Sequence, residues 1–422
     1  MYGREHEWEQ GVARTAGTVA DALVEAPRRW RMLALVAVAE LLGMSVWLAA
    51  NAVSPLLATQ WALSPSEAGW LSTVVQLGFV AGTAIAALLN LADLVPSRTY
   101  FSCSALAAAA ANALLLAAPG YHTALLCRAL AGVFLAGVYP PAMKMAATWF
   151  RERRGLAIGV VVGALTIGKA MPFLIHALPG AGVTPVVLAA SGMAVAAAVL
   201  VALWYRDGPA PFPRRPFDLA LVGAVLRDVR YRQVLGGYAG HMLELYACWV
   251  WVPSFLAASV IASGGASEGS ALQPGSSGSL VAALSFLVMA AGALGCVLGG
   301  ELADRVGYVR LVVIAMAISG ACAMLTPFVF GRTPALLVPV LIVWSVAVIA
   351  DSAQFSTLVT RVVAPHAIGT ALTLQTSIGF LLTSVTVQLV PVVAEHLGWR
   401  YAFPVLALGP AFGIWAIRRL RT

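Results

Sequence analysis

Five charged side chains interrupt long apolar stretches of this sequence: the acids Glu40, Glu244 and Asp351, and the bases Arg128 and Lys169. At the centre of a membrane-spanning helix such a charge costs about 2.5–3.5 kcal/mol on insertion scales, so each is expected to have a partner or a function. Three acids and two bases can pair with one another. At least one carboxylate is then left free to bind and release a proton.

A histidine accompanies one of these acids. His241 and Glu244 are three residues apart, so they lie on the same face of a helix. A carboxylate removed from water favours its protonated form, and histidine titrates near neutral pH. Both groups therefore suit a proton carrier. The structural alternative for His241 is a core imidazole bonded to a backbone carbonyl.

Glu40 and Arg128 fall at similar depths in the first and fourth apolar segments. At about 1.5 Å per residue, Glu40 lies about 12 Å from one membrane face and Arg128 about 10 Å from the other. In a hydrocarbon core about 30 Å thick, they are less than about 10 Å apart in depth. Long side chains could bridge that gap, either as a proton-coupling pair or as a structural ion pair that fastens the two helices.

Lys169 is the most unusual of the five charges. It follows Gly155, Gly159, Gly163 and Gly168, whose small size lets another helix approach closely. It lies about 21 Å along its segment, too deep for its side chain to reach either surface easily. We therefore expect Lys169 either to pair with an acid or to bind an anionic substrate.

Long apolar helices must hold these charges. Of the 422 residues, 60% are hydrophobic and only 10% are charged, whereas soluble domains carry about 25% charged residues. A helix needs roughly 20 apolar residues to cross a bilayer. Twelve such segments are predicted, at 32–57, 67–90, 99–118, 121–145, 155–178, 183–205, 233–260, 278–301, 308–330, 334–358, 367–393 and 399–418. Because the short alternating segments of a membrane β-barrel are missing from this sequence, we predict an all-α membrane protein.

The distribution of positive charge predicts the orientation. With the N-terminus in the cytoplasm, all but four of the 26 Lys and Arg residues fall on the cytoplasmic side. The four exceptions are Arg332 and Arg400 outside, and Arg128 and Lys169 within helices. By the positive-inside rule, both termini are cytoplasmic and the chain is a multi-pass protein of the cell membrane. The net charge of +8 therefore reflects topology and not a nucleic-acid partner.

A polar, proline-rich stretch divides the chain into two similar blocks of six helices. We predict a cytoplasmic tail at 1–31, an N-terminal half at 32–205, a cytoplasmic loop at 206–232 and a C-terminal half at 233–422. The stretch from Glu40 to Trp47 is echoed from Glu244 to Trp251, each beginning Glu-Leu and ending Val-Trp. Parallel repeats of this kind place a transporter's binding site near the middle of the membrane, between the halves.

The segment that runs from Gly300 to Arg310, Gly-Glu-Leu-Ala-Asp-Arg-Val-Gly-Tyr-Val-Arg, resembles the loop motif of the major facilitator superfamily. The resemblance extends to twelve helices in two pseudo-symmetric halves. It implies a cytoplasmic gate, in which an Asp pairs with an Arg and faces a helix N-terminus of the opposite half. The implied gate residues are Gly300, Asp304, Arg305, Gly307 and Arg310, together with Asp93 and Arg98 of a degenerate first-half copy. Arg128 and Gly132 also resemble the family's R-x-x-x-G motif, which implies a role in proton transfer.

These features predict a secondary transporter that moves a small solute by alternating access, coupled to protons. Lys169 and Arg128 give a slight preference for an organic anion as substrate. Proton-driven efflux of amphipathic compounds is the alternative. The substrate and coupling candidates are the six groups within the helices: Glu40, Arg128, Lys169, His241, Glu244 and Asp351.

An enzyme or a membrane sensor is disfavoured. The sequence has no HExxH, no GxSxG and no nucleotide-binding loop, and its five cysteines are scattered singly, so no cofactor or metal is expected. A sensor would need a sizeable soluble domain, whereas the tail and the central loop are each only about 30 residues long. The resemblance implies a monomer, with protons, a small solute and the lipid bilayer as its partners.

Overall fold

The computed structural model describes residues 28–150, 154–209, 217–265 and 276–420, and the regular elements of this part of the chain are all helices. Eleven of them are long and apolar enough to cross a membrane. We label them α2 to α12: Pro65–Leu88, Ser97–Ala117, Tyr121–Ala147, Gly155–His176, Val183–Trp204, Val229–Ala262, Gly278–Val306, Tyr308–Val329, Pro334–Val362, Pro365–Leu397 and Trp399–Ile417. They confirm the predicted all-helical membrane fold.

The first predicted segment forms an interrupted helix, α1. It runs over 28–44, turns at 45–48, and continues as Ala49–Ala52 and Ser54–Trp61. Because of these interruptions no single piece is long enough to span a membrane. At the turn, the carbonyls of Leu42, Met44 and Val46 accept from amides three residues further on, so the regular helical bonding pattern is interrupted there.

The connection between the halves contains a short helix inside the loop predicted at 206–232. This linker helix, Leu219–Arg227, is capped by Asp218, whose carboxylate accepts from the amide of Ala220. Its start is fixed to α11, since the amide of Asp218 donates to Thr370 Oγ1 at 2.9 Å. Helix α7 begins at Val229, a few residues before its predicted start.

Small residues let the two halves pack closely along α5 and α8. A Cβ added at Gly159 would lie 3.0 Å from the carbonyl oxygen of Cys296, and one added at Gly163 would lie 3.4 Å from that of Ala293. Helices α2 and α11 form a second contact between the halves. Two of the four glycines before Lys169, Gly159 and Gly163, therefore lie at the interface between the halves.

The bundle has two ends, which we define by the chain termini. Among the described residues, the interrupted α1 and the eleven longer helices run through the bundle in alternating directions, so the start of α1, the linker helix and the end of α12 lie at the terminal end. At the opposite, distal end, Asn51 Nδ2 donates to the carbonyl of Val250 at 3.3 Å across the two halves. Gln388 of α11 bridges to α2, accepting from Ser66 Oγ and donating to Thr73 Oγ1, each at 3.0 Å. We call these contacts the distal seal.

Candidate functional site

Lys169 lies in the interface between the halves with its ammonium surrounded by aromatic rings. Nζ is 4.0 Å from the ring centroid of Trp47, 4.6 Å from that of Tyr246 and 5.5 Å from that of Trp249. It also donates to the Tyr246 hydroxyl at 2.5 Å. A cation over ring faces at such distances is attracted by the ring quadrupoles. Lys169 and these three rings form what we call the aromatic box.

Both halves contribute to the aromatic box. Trp47 belongs to the turn in α1 and Lys169 to α5, whereas Tyr246 and Trp249 belong to α7. Further rings support it, since Phe380 of α11 lies 5.7 Å from Trp47, 5.1 Å from Tyr246 and 4.7 Å from Phe79 of α2. Any movement that separates the halves must therefore change the surroundings of the Lys169 ammonium.

Glu40 of α1 is fully buried close to Lys169. The two side chains are near enough to interact electrostatically, and each is at most 1% exposed. Gly168 allows this proximity, because a Cβ at that position would lie 2.3 Å from the carbonyl oxygen of Leu41. Neither carboxylate oxygen of Glu40 has a hydrogen-bond partner among the described residues. A buried acceptor left in this state is costly, so Glu40 is a strong candidate to bind a proton or a cation.

Arg128 does not bond to Glu40. Its guanidinium donates to the carbonyls of Val46 and Trp47, in the turn of α1, and to Asn112 Oδ1 at 3.0 Å. The planar, forked guanidinium suits two adjacent carbonyls. Arg128 thus stabilises the turn that interrupts α1. It contacts α1, the helix predicted from its depth, but its partners there are backbone oxygens and not the Glu40 carboxylate.

His241 and Asp351 form a second buried polar group, within the C-terminal half. His241 Nδ1 lies 2.8 Å from Asp351 Oδ1, a short contact that lacks the alignment of a hydrogen bond. Asp351 stands at the turn between Pro334–Ala350 and Ser352–Val362, where α10 is interrupted. The imidazole packs against the rings of Tyr238 and Phe355.

Glu244 shares α7 with His241 but has different surroundings. Its carboxylate accepts from Ser319 Oγ at 2.8 Å and from Trp344 Nε1 at 2.7 Å. Both donors belong to the C-terminal half, on α9 and α10. Glu244 therefore ties three helices of one half together, whereas Glu40 has oxygens that are free to accept.

The residues of the loop motif lie at the terminal end. Asp304 is exposed and accepts from the Tyr308 hydroxyl at 2.7 Å, and Arg361 lies 4.1 Å from the centroid of the Tyr308 ring. Gly307 has φ +91, a backbone conformation that favours glycine. Gly300 approaches the start of α5, since a Cβ there would lie 3.7 Å from the carbonyl oxygen of Gly155.

The remaining motif residues are less informative. Arg98, Arg305 and Arg310 are exposed. The side chain of Asp93 lies outside the described residues, as do Arg151 to Arg153 before α5. The gate therefore stays a prediction from the resemblance.

Several important residues were absent from the predicted site. Asn112 connects three helices, accepting from Arg128 and donating to the carbonyl of Val187 and to Ser191 Oγ. A polar amide in an apolar segment was the signal that could have identified it. Phe79 and Phe380 gave no such signal, because an aromatic residue in a spanning helix faces lipid as readily as it faces a site.

The described residues include no group of three or more His, Cys, Asp or Glu side chains that could hold a metal ion.

Comparison with known proteins gives three kinds of match. Residues 35–387 match the family model described as Major Facilitator Superfamily. A puromycin resistance protein of Streptomyces alboniger is 34% identical over 146 residues, which cover 34% of this chain and only 28% of that relative.

Solved structures of low identity share the fold. A bacterial homologue of the human lysosomal transporter Spinster, in an inward-facing and unoccupied conformation, gives a TM-score of 0.68 at 16% identity, covering 93% of this chain and 98% of that one. A variant of the nucleoside transporter NupG gives 0.70 at 12% identity, covering 93% and 100%. The transporter FucP, in its outward conformation, gives 0.66 at 13% identity, covering 92% and 98%.

Proposed function

This chain belongs to the major facilitator superfamily and is a secondary membrane transporter, and from this premise we propose that it exchanges protons for organic cations that carry an aromatic or apolar body. One observation carries the proposal. The aromatic box already holds an ammonium group, that of Lys169, over three ring faces between the two halves. A site that fits an ammonium of the protein itself also fits an ammonium of a solute.

The surroundings of the box support a cation with an apolar body. The faces of Trp47, Tyr246 and Trp249 are electron-rich and would repel an anion that approached between them. Phe79 and Phe380 extend the apolar surface. Glu40, whose oxygens have no partner among the described residues, supplies a buried carboxyl group beside the box that can balance a bound cation when it is ionised. The name of the puromycin resistance protein is consistent with export of an amphipathic compound, although the match covers a minor part of that relative.

The organic anion favoured by the sequence is the second candidate. It rests on the complete burial of the Lys169 ammonium, a positive charge at the centre of the bundle. If Glu40 took up a proton, that charge would lack a counter-charge and would attract an anion. Uptake of an anion together with a proton would then follow.

The proposed orientation and membrane come from the positive-inside rule, and the proposed oligomeric state comes from the family resemblance. Both termini and the loop motif face the cytoplasm, the membrane is the cell membrane and the protein acts as a monomer. His241, Glu244 and Asp351 are further proton-coupling candidates in the C-terminal half. Export then requires the box to open alternately toward the cytoplasm and, through the distal seal, toward the outside.

Ligand-induced stabilisation tests the substrate class. The detergent-purified protein is unfolded thermally with tetraphenylphosphonium, benzoate or glucose. A ligand that binds only the folded state stabilises it by RT ln(1 + [L]/Kd). We expect tetraphenylphosphonium to raise the unfolding temperature of the wild type, and Trp249→Ala to abolish this shift. Trp204→Ala, which removes an exposed ring, is the matched control and should keep the shift.

Transport by proteoliposomes tests the coupling. An imposed pH gradient should drive accumulation of tetraphenylphosphonium, and a protonophore should abolish it. Stabilisation by benzoate of the wild type but not of Lys169→Ala, with no response to the cation, would replace the proposal by the anion candidate.

A further inference from the structure

We propose that Lys169 is itself the proton-exchanging group, and that its ammonium and the substrate cation occupy the aromatic box in turn. This inference rests on the proposed function and specifies its coupling mechanism. It identifies the substrate's competitor as a side chain of the transporter, and it assigns the exchanged proton to Nζ of Lys169.

The box has room for one cation only. Nζ lies 4.0 Å from the centroid of Trp47 and 4.6 Å from that of Tyr246, so the ring faces that a substrate would use are already covered. Nζ is also hydrogen-bonded to the Tyr246 hydroxyl. A second positive charge at contact distance would be repelled strongly, because the site is desolvated. A substrate cation can therefore enter only after Lys169 has lost its charge or has left the box.

Deprotonation of the Lys169 ammonium removes the repulsion between the two positive charges. One N–H bond of the ammonium breaks, its electron pair stays on Nζ, and the proton passes to water on the side toward which the halves have opened. The neutral amine can then accept from the Tyr246 hydroxyl, which reverses the direction of the present hydrogen bond. The substrate cation takes the place over the rings. On the other side of the membrane the reverse step reloads the lysine and expels the substrate.

Charge balance makes the exchange one for one. When Glu40 is ionised, Glu40 and Lys169 together carry no net charge while Lys169 is charged and the substrate position is empty, and the same holds while Lys169 is uncharged and a monocation is bound. An empty site with an uncharged lysine would carry a net negative charge, and a doubly filled site would carry a net positive one. Both are disfavoured near the middle of a membrane, so only the two loaded forms reorient readily.

Other titratable groups near the box belong to several helices. Among the described residues, Glu40 of α1 and Tyr246 of α7 face Lys169 most directly. Tyr139 of α4 is near enough to Glu40 to interact with it electrostatically, and Cys296 of α8 lies beside Thr166 of α5, at 3.8 Å between Sγ and Oγ1. The pair of His241 and Asp351 lies farther along α7 and α10. A test must therefore separate Lys169 from Glu40 as the source of the proton.

Calorimetric titration in two buffers measures that proton. The purified full-length protein is titrated with tetraphenylphosphonium in phosphate and in Tris, whose enthalpies of protonation differ. The difference in apparent binding enthalpy gives the number of protons released. We expect about one proton per probe bound by the wild type, and an affinity that rises about tenfold per pH unit while Lys169 remains charged in the free protein.

Two substitutions at one position should act in opposite directions. Lys169→Met empties the box, so the probe should bind with no proton release and with an affinity independent of pH. Lys169→Arg places a permanent cation there, so binding should be lost at every pH up to about 10. A merely structural lysine would instead make both variants bind poorly. Arg332→Met, at an exposed position, is the charge-removal control and should behave as the wild type.

The outcomes separate this inference from the proposed function. If the wild type binds no cation, the proposed function fails. If it binds the cation without releasing a proton, or if Lys169→Met still releases one, the function stands and Lys169 is not the exchanged group. Should Lys169→Met fail to fold, Lys169→Gln, which is also uncharged at every pH, takes its place and should likewise bind the probe without releasing a proton.

Discussion

At the scale of single residues, the two buried acids that the sequence treats alike have opposite hydrogen-bonding states. Glu244 accepts from Ser319 and Trp344, whereas both oxygens of Glu40 lack partners among the described residues. A carboxylate with two neutral donors is already stabilised by hydrogen bonds within the fold. A carboxylate without such partners is stabilised when it binds a proton or a cation.

This contrast predicts different effects of the same substitution. Glu244→Gln places an amide donor against a hydroxyl or an indole N–H, so we expect it to lower the free energy of unfolding by roughly 1–3 kcal/mol while the pH dependence of exchange persists. Glu40→Gln should leave stability nearly unchanged and abolish tight cation binding. Thermal unfolding and probe binding, measured on both variants, check the pair. Loss of pH dependence in Glu244→Gln alone would move the proton site to the C-terminal half.

Arg128 supports a second prediction, because its guanidinium holds the turn of α1 in place. Arg128→Met leaves the carbonyls of Val46 and Trp47 and the amide of Asn112 without this donor. Hydrogen bonds to a charged group contribute roughly 1.5–3 kcal/mol each, so we expect a loss of several kcal/mol in unfolding experiments in mixed micelles. Arg128→Lys should restore part of it. Stability equal to that of the wild type would contradict the assigned role.

The residue partners were the hardest feature to predict from the sequence. Burial of Glu40, Arg128 and Lys169 follows from their positions within apolar segments. Their partners depend on how each helix is rotated and on the turn in α1, and one sequence with no alignment determines neither. The axial rise of a helix gives the depth of Arg128 but not the direction of its side chain, so Glu40 was the expected partner and the backbone carbonyls were not.

At the scale of helices, α5 positions the site through close contact with α1. A Cβ at Gly168 would lie 2.3 Å from the carbonyl oxygen of Leu41, which is backbone and cannot move aside alone. The glycine before Lys169 thus sets how near the ammonium comes to Glu40. Most helices themselves were predictable, since about 20 apolar residues are needed to cross a bilayer whatever the side-chain contacts.

Gly168→Ala should therefore force α5 away from α1. We expect a lower unfolding temperature and at least a tenfold weaker affinity for tetraphenylphosphonium, because Lys169 and Glu40 are displaced together. Gly155→Ala on the same helix is the matched control, since a Cβ there meets nothing within 4 Å. Equal behaviour of the two variants would show that the approach of α5 to α1 is not critical.

At the scale of the whole molecule, the site and the distal seal are closed in the same structure. Lys169 and Glu40 are at most 1% exposed, and Gln388 joins α2 to α11 at the distal end. Beside that seal is a cavity of about 30 Å³, lined in part by Asn51, His176 and Ser254. Opening toward this end must break the bonds of Gln388.

Gln388→Leu should favour that opening. Two hydrogen bonds worth about 1 kcal/mol each are lost, about 2 kcal/mol in all, which corresponds to a roughly thirtyfold change in the equilibrium between the closed and open states. The measurement is labelling of Ser254→Cys by a membrane-impermeant maleimide, in a background where the exposed Cys103 is replaced by serine. Thr59→Val removes a hydroxyl that bonds only within α1, to the carbonyl of Pro55, and should not change the rate. An unchanged rate in Gln388→Leu would exclude Gln388 as part of the seal.

The distal seal also has an electrostatic consequence. The contacts described there join amides, hydroxyls and a backbone carbonyl, all uncharged. Ionic strength screens interactions between exposed charges and leaves neutral hydrogen bonds largely unaffected. Raising sodium chloride from 0.01 M to 1 M should therefore leave the maleimide labelling rate at this end nearly constant. The transporter would then open on that side at the same rate in dilute and in concentrated surroundings.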